Sequence, residues 1–178
     1  MDEQPTAVIM ISSLTSDAAR ITIKALELGA VDYVNKPSGQ ISPDLARQKS
    51  EVVRKVRLAA EARWKEPLTP LAQPPVTQAP PDPLEQTAPG QRWPASIVAI
   101  GASTGGPRTL MEIIPRLPAD LPAAVIIVQH LPDAFVPSFV TRLGDRCAMQ
   151  VQMAEHDAQL SPHHVYVAPG SAHLLVES

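Results

Sequence analysis

In the stretch IVAIGASTGG, residues 97–106, a hydroxyl stands among small residues at the point where an apolar run stops. Three roles suit Ser103 and its neighbour Thr104. Either side chain could cap a helix starting near Gly105 by accepting from a free backbone N–H. The glycines could instead cradle a phosphate at that helix N-terminus. Or the turn could display Ser103 as a nucleophile, which requires a base, because an imidazole within hydrogen-bond reach must accept the hydroxyl proton during attack. One histidine is placed for this: His130 ends a second apolar run, AAVIIVQ. If the two runs are neighbouring strands, Ser103 and His130 meet. Backbone N–H groups around Thr104, Gly105 and Gly106 could then steady an oxyanion, and the glycines would let a substrate approach closely.

Short motifs narrow this only in part. Gly101 to Gly105 fits G-x-S-x-G, the nucleophile elbow of α/β-hydrolases. In those enzymes an acid precedes the histidine and both lie well beyond the serine, whereas His130 follows only 27 residues on. A dinucleotide fingerprint fits less well, since Ser103 replaces its second glycine and no acidic residue follows the next strand as it should. Asp133 could orient His130, although capping the helix after Pro132 is the simpler role. His156, His163, His164 and His173 fall in loops or at strand edges without helical ligand spacing, so no metal is expected.

The elements that must position these residues follow from periodicity. Before position 66, TAVIMIS reads as a strand, SLTSDAARITIKALELGA as a helix with Ala19, Ile23, Leu26 and Ala30 near one face, and VDYVNKP as a strand stopped by Pro37. A further helix is expected from SPDLARQKSEVVRKVRLAAEARW, capped by Ser42 with Pro43 in its first turn. Residues 66–94 hold nine of the twenty prolines and read as an extended linker. Beyond it, SIVAI is a strand, GGPRTLMEIIPRL a helix, and AAVIIVQ a strand buried on both faces. A helix near DAFVPSFVTRLGD comes next, started late or interrupted by Pro137, and then strands at AMQVQMA, HVYVAP and HLLVE. Alternating strands and helices indicate a doubly wound parallel α/β sheet, in which sites lie outside the carboxyl ends of the strands.

Composition bounds the function. The 178 residues, 44% of them hydrophobic, allow one domain or two small ones. A net charge of -3 offers no electrostatic footprint for nucleic acid. The single cysteine, Cys147, reads as a bystander thiol of a reducing compartment. Neither a signal peptide nor a membrane-spanning stretch is evident, so a cytoplasmic protein without membrane insertion is expected.

Taken together, SIVAIGASTGGPRTL, VIIVQHLP and VYVAPGSAHLLV resemble the catalytic domain of the chemotaxis protein-glutamate methylesterases, the CheB-type family. The resemblance implies Ser103 as nucleophile, His130 as general base, and no cofactor. It implies hydrolysis of methyl-glutamate esters, and deamidation of glutamines, on the cytoplasmic domains of chemoreceptors. The first module resembles the second half of the family's receiver domain, which is flavodoxin-like. On that likeness Ser12 matches the hydroxyl that responds to phosphorylation and Lys36 the lysine that contacts the phosphoryl group, with a chemotaxis histidine kinase as phosphodonor in intact relatives. The implied division is a partial receiver at 1–65, a linker at 66–94 and the N-terminal part of the methylesterase domain at 95–178. No residue matches the phosphoacceptor aspartate or the acidic triad partner. The chain is accordingly expected to be a fragment with weak activity or none; a non-catalytic signalling module and a hydrolase of other esters are the competing readings.

Overall fold

The computed structural model describes residues 6–36, 45–61 and 96–177. The linker, the Ser42–Pro43 helix start and Pro37 lie outside them. In the first segment β1 (Ile9–Ser12) and β2 (Asp32–Asn35) pair in parallel, Ile9 opposite Asp32 and Ser12 opposite Asn35. Helix α1 (Ser16–Glu27) crosses between them and α2 (Leu45–Glu61) follows. Thr15 caps α1 by accepting from the Ala18 N–H at 3.3 Å, and Gly29, at φ 113°, supplies the left-handed turn just beyond its end.

The second segment builds a four-stranded, all-parallel sheet in the order β3-β4-β6-β5. Its strands are β3 (Ile97–Ala102), β4 (Ala124–Gln129), β5 (Gln150–Met153) and β6 (His164–Val167). Two helices join them, α3 (Gly106–Ile113) after β3 and α4 (Val136–Gly144) after β4. Strand β4 is apolar nearly throughout because it lies between β3 and β6 with most of its side chains buried. Proline sets the helix limits. Pro115, lacking an N–H, ends α3 in a short 3₁₀ turn, so the helix expected to run through GGPRTLMEIIPRL stops early. Pro137 falls in the first turn of α4, where its missing donor costs nothing. The expected HLLVE strand does not form: residues 173–177 pair with no strand among those described, and Leu175 is 80% exposed. An apolar run becomes a strand only where a neighbour takes its backbone hydrogen bonds.

The two sheets are separate, yet they share one core. The apolar face of α1 (Ala19, Ile23, Leu26) is buried with Leu110 and Met111 of α3 and with Phe139 and Leu143 of α4. Tyr33 and Phe135 bring their ring centroids to 4.9 Å. Glu27, at the end of α1, pairs with Arg142 at 2.7 Å and with Arg146 at 3.0 Å. Behind Tyr33, the buried Lys55 ammonium lies 3.3 Å from Asp32 and 3.1 Å from Glu51, and 4.8 Å from the ring centroid.

Because Phe135 is fully buried where the segments meet, Phe135→Ala should lower stability in urea by about 3–5 kcal/mol, with Phe135→Leu costing much less. Burial, and after it the charges of Asp32 and Glu51, push the Tyr33 hydroxyl well above the ordinary tyrosine value. The stability this contributes is complete below the unfolded tyrosine value of about 10 and is lost as pH rises beyond it. Thermal melts across that alkaline range should therefore fall more steeply for the wild type than for Tyr33→Phe.

Candidate active site

Strands β3 and β4 end level. Ala102 is the register partner of Gln129, so Ser103 and His130 are the first residues to leave the sheet, side by side, and the His130 N–H donates to the Ala102 carbonyl at 3.1 Å. Both side chains are exposed at the carboxyl edge of the sheet. This is the place at which parallel α/β sheets bind ligands.

The turn into α3 decides between the roles open to Ser103. The N-cap of α3 is Gly105, at φ 74° and ψ -9°, and no side chain caps the helix. The Ser103 and Thr104 hydroxyls have no hydrogen bond among the described residues, so neither is used up in capping. The phosphate alternative loses support too. Arg108, the basic side chain of the first turn, is held by Glu112 at 3.3 Å, and the Gly106 N–H donates to the Ser103 carbonyl at 2.9 Å. The N–H groups of Thr104 and Gly105 donate to no protein acceptor among the described residues. Of the three groups considered for an oxyanion, these two are free and that of Gly106 closes the turn.

Gly106 has a second reason to be glycine. A Cβ built there would overlap Oε1 of Gln129 and lie 2.8 Å from the Ala102 Cβ. Gln129 is buried, and its Nε2 donates to the carbonyls of Ser103 at 3.0 Å and His130 at 3.3 Å. Sequence reasoning missed this residue. The available signal was an amide at the end of an otherwise apolar strand.

Asp133 does not cap the helix that follows. Pro132 is the N-cap of the 3₁₀ turn Asp133–Phe135 and no side-chain bond caps it. The aspartate faces Gly170 in the loop after β6, where a Cβ would overlap the Leu131 carbonyl and lie 3.0 Å from the Asp133 Oδ1. No hydrogen bond joins Asp133 to His130. At the other sheet, Ser12 and Lys36 also sit at the carboxyl ends of paired strands, with the Lys36 N–H donating to the Ser12 carbonyl at 2.7 Å. The Ser12 hydroxyl is buried and accepts from the Thr22 hydroxyl at 2.7 Å, while the Lys36 side chain is exposed.

Other reactive groups lie apart from this edge. Burial raises the Cys147 thiol above its ordinary range, against a smaller opposing effect of Arg146. His164 is engaged by the Pro162 carbonyl at 2.8 Å and by Gln150 at 3.0 Å. Among the described residues no three His, Cys, Asp or Glu side chains are grouped to hold a metal ion. A cavity of about 620 Å³ opens between the β5–β6 loop and residues 172–177, and neither Ser103 nor His130 lines it.

Fold and edge together define a parallel α/β domain that displays an uncapped serine beside a histidine. The family model described as CheB methylesterase matches residues 98–178. The whole chain is 44% identical over 183 residues to the protein-glutamate methylesterase/protein-glutamine glutaminase of Symbiobacterium thermophilum, covering 51% of that relative. It is 42% identical over 174 residues to the Thermotoga maritima protein of the same name, covering 98% of this chain and 48% of the relative. A solved Thermotoga maritima CheB methylesterase catalytic domain is 45% identical, with a TM-score of 0.45 over 46% of this chain and 43% of that one. The chain thus spans about half the length of the curated relatives it matches.

If Gly106 is empty of a side chain in order to admit Gln129, Gly106→Ala should destabilise the fold by about 1–3 kcal/mol in urea. Gly105→Ala, which meets no atom within 4 Å but carries a positive φ, should cost about 1 kcal/mol, from backbone strain alone.

Proposed function

We propose that this chain carries the hydrolytic edge of a chemotaxis protein-glutamate methylesterase that also deamidates glutamine. Ser103 is the nucleophile and His130 the general base. The substrates are methyl-glutamate and glutamine side chains on the cytoplasmic domains of chemoreceptors, which would put the protein in the cytoplasm. The observation that carries the reading is the exposed, uncapped Ser103 next to His130 at the level ends of two paired strands. The names of the relatives supply the substrate class.

In this scheme the Ser103 Oγ adds to the ester carbonyl carbon as His130 takes the hydroxyl proton. The oxyanion forms toward the free N–H groups of Thr104 and Gly105. Collapse breaks the bond to the methoxy oxygen, which takes the proton from the imidazolium and leaves as methanol. Water, deprotonated by His130, then releases the glutamate carboxylate and restores Ser103. With a glutamine side chain the same steps release ammonia.

Residues 1–65 fit the second half of a receiver, with Ser12 and Lys36 as its switch, residues 66–94 a linker, and residues 95–178 part of the methylesterase domain. A chemotaxis histidine kinase is then the phosphodonor in the intact relatives. What supports this division is the β1-α1-β2 parallel unit with Ser12 and Lys36 at one edge.

Two measurements test the hydrolytic reading: covalent labelling of Ser103 by a fluorophosphonate, and methanol release from a methylated receptor fragment. Ser103→Ala should abolish both, and His130→Ala should slow both by about 10²–10⁴-fold. A wild type indistinguishable from Ser103→Ala in both assays overturns the reading that this chain is itself hydrolytic and matches the expectation of an inactive fragment, and receptor binding that persists in that case favours a non-catalytic module.

A further inference from the structure

We infer that Gln129 is a positioning residue, whose side-chain amide ties the Ser103 and His130 loops together and sets their mutual orientation. The inference rests on the hydrolytic reading of Ser103 and His130. Neither residue lies in a strand or a helix, and both side chains are exposed, so packing does not orient them. Their main chains must be held by hydrogen bonds.

The Ser103 carbonyl accepts two, from the Gly106 N–H at 2.9 Å and from the Gln129 Nε2 at 3.0 Å. The first is local to the turn. The second reaches across to the neighbouring strand and is the side-chain bond that links the turn to β4. The same Nε2 donates to the His130 carbonyl at 3.3 Å. One amide group therefore uses both of its hydrogens on the main chains of the two residues whose separation the reaction depends on.

Its placement is restricted. Gln129 is 5% exposed, and its Oε1 is buried with no hydrogen-bond partner. A buried amide with an unmet acceptor is costly, and filling space alone would be served better by an apolar side chain. The donor half is therefore what the position requires. The missing Cβ of Gly106 is what lets the amide reach the turn. Glutamate would turn a carboxylate toward two carbonyl oxygens, and methionine would keep the length while removing both donors.

The test compares wild type, Gln129→Met, Gln129→Glu and Ser103→Ala in fluorophosphonate labelling, separating the maximal rate from the half-saturating concentration, with thermal melts run alongside. Gln129→Met should lower the maximal rate at least tenfold with little change in half-saturation, and Gln129→Glu should lower it further. In NMR spectra of Gln129→Met, the Ser103, Thr104 and Gly105 amides should shift although they lie in the turn after the neighbouring strand, β3. Gln129→Met labelling as fast as the wild type overturns the inference while leaving the hydrolytic reading intact. Wild type that labels no better than Ser103→Ala overturns the hydrolytic reading, and the NMR shifts then decide the tie between the loops. Undisturbed Ser103–Gly105 amides in a folded Gln129→Met overturn that tie.

Discussion

The pairing of Ala102 with Gln129 at the last rung of the β3–β4 ladder governs the edge at which the proposed chemistry is placed. In a parallel pair the side-chain period is two, so a slip by one residue would send Gln129 to the other face of the sheet and leave Ser103 and His130 out of step. The register is held from below by the buried run of β4, in which Ala124, Val125, Ile126 and Ile127 are each 4% exposed or less. Core burial thus sets the level of the edge, and the edge sets the geometry of the two polar residues beyond it. The glycines complete the arrangement: Gly105 turns the chain and Gly106 leaves space for the glutamine.

Much of this could be read from the chain itself. AAVIIVQ is apolar enough to announce a parallel strand buried on both faces, and IVAIGA reads as a strand although β3, at the sheet edge, is largely exposed; the change of character at Ser103 and His130 marks where each one ends. Gly29 and Pro137 marked the end of α1 and the start of α4 to within two residues, whereas Pro115 stopped α3 short of the helix expected through Leu117. What stayed hidden depends on neighbours distant in sequence. Gln129 shows its use only when β4 lies beside β3 and the α3 turn folds over it. HLLVE carries a strand pattern, but a pattern does not provide a partner. Asp133 looks like a cap by position, and the Pro132 before it takes that place in a turn too short to need a side-chain oxygen.

The same limit applies to the relation between the two segments. The amphipathic face of α1 was visible as Ala19, Ile23 and Leu26, but periodicity says only that such a face is buried, not against what. It covers α3 and α4 of the other segment, so the helix that connects the strands of one sheet also walls the core of the other. The proposed hydrolytic edge and the proposed switch residues are therefore mechanically continuous through packed side chains, without any shared strand.

Glu27 gives that continuity an unusual economy. Among the described residues, both ion pairs that cross between the segments converge on its one carboxylate, with Arg142 on one oxygen and Arg146 on the other. The apolar part of the contact is indifferent to dissolved ions, whereas partly exposed pairs of this kind weaken as ionic strength rises. The docking of α1 on α4 accordingly has a component set by the salt of its surroundings and a component that is not. The first can be removed at a single codon, which makes the grip between the segments adjustable in evolution without any change to the core.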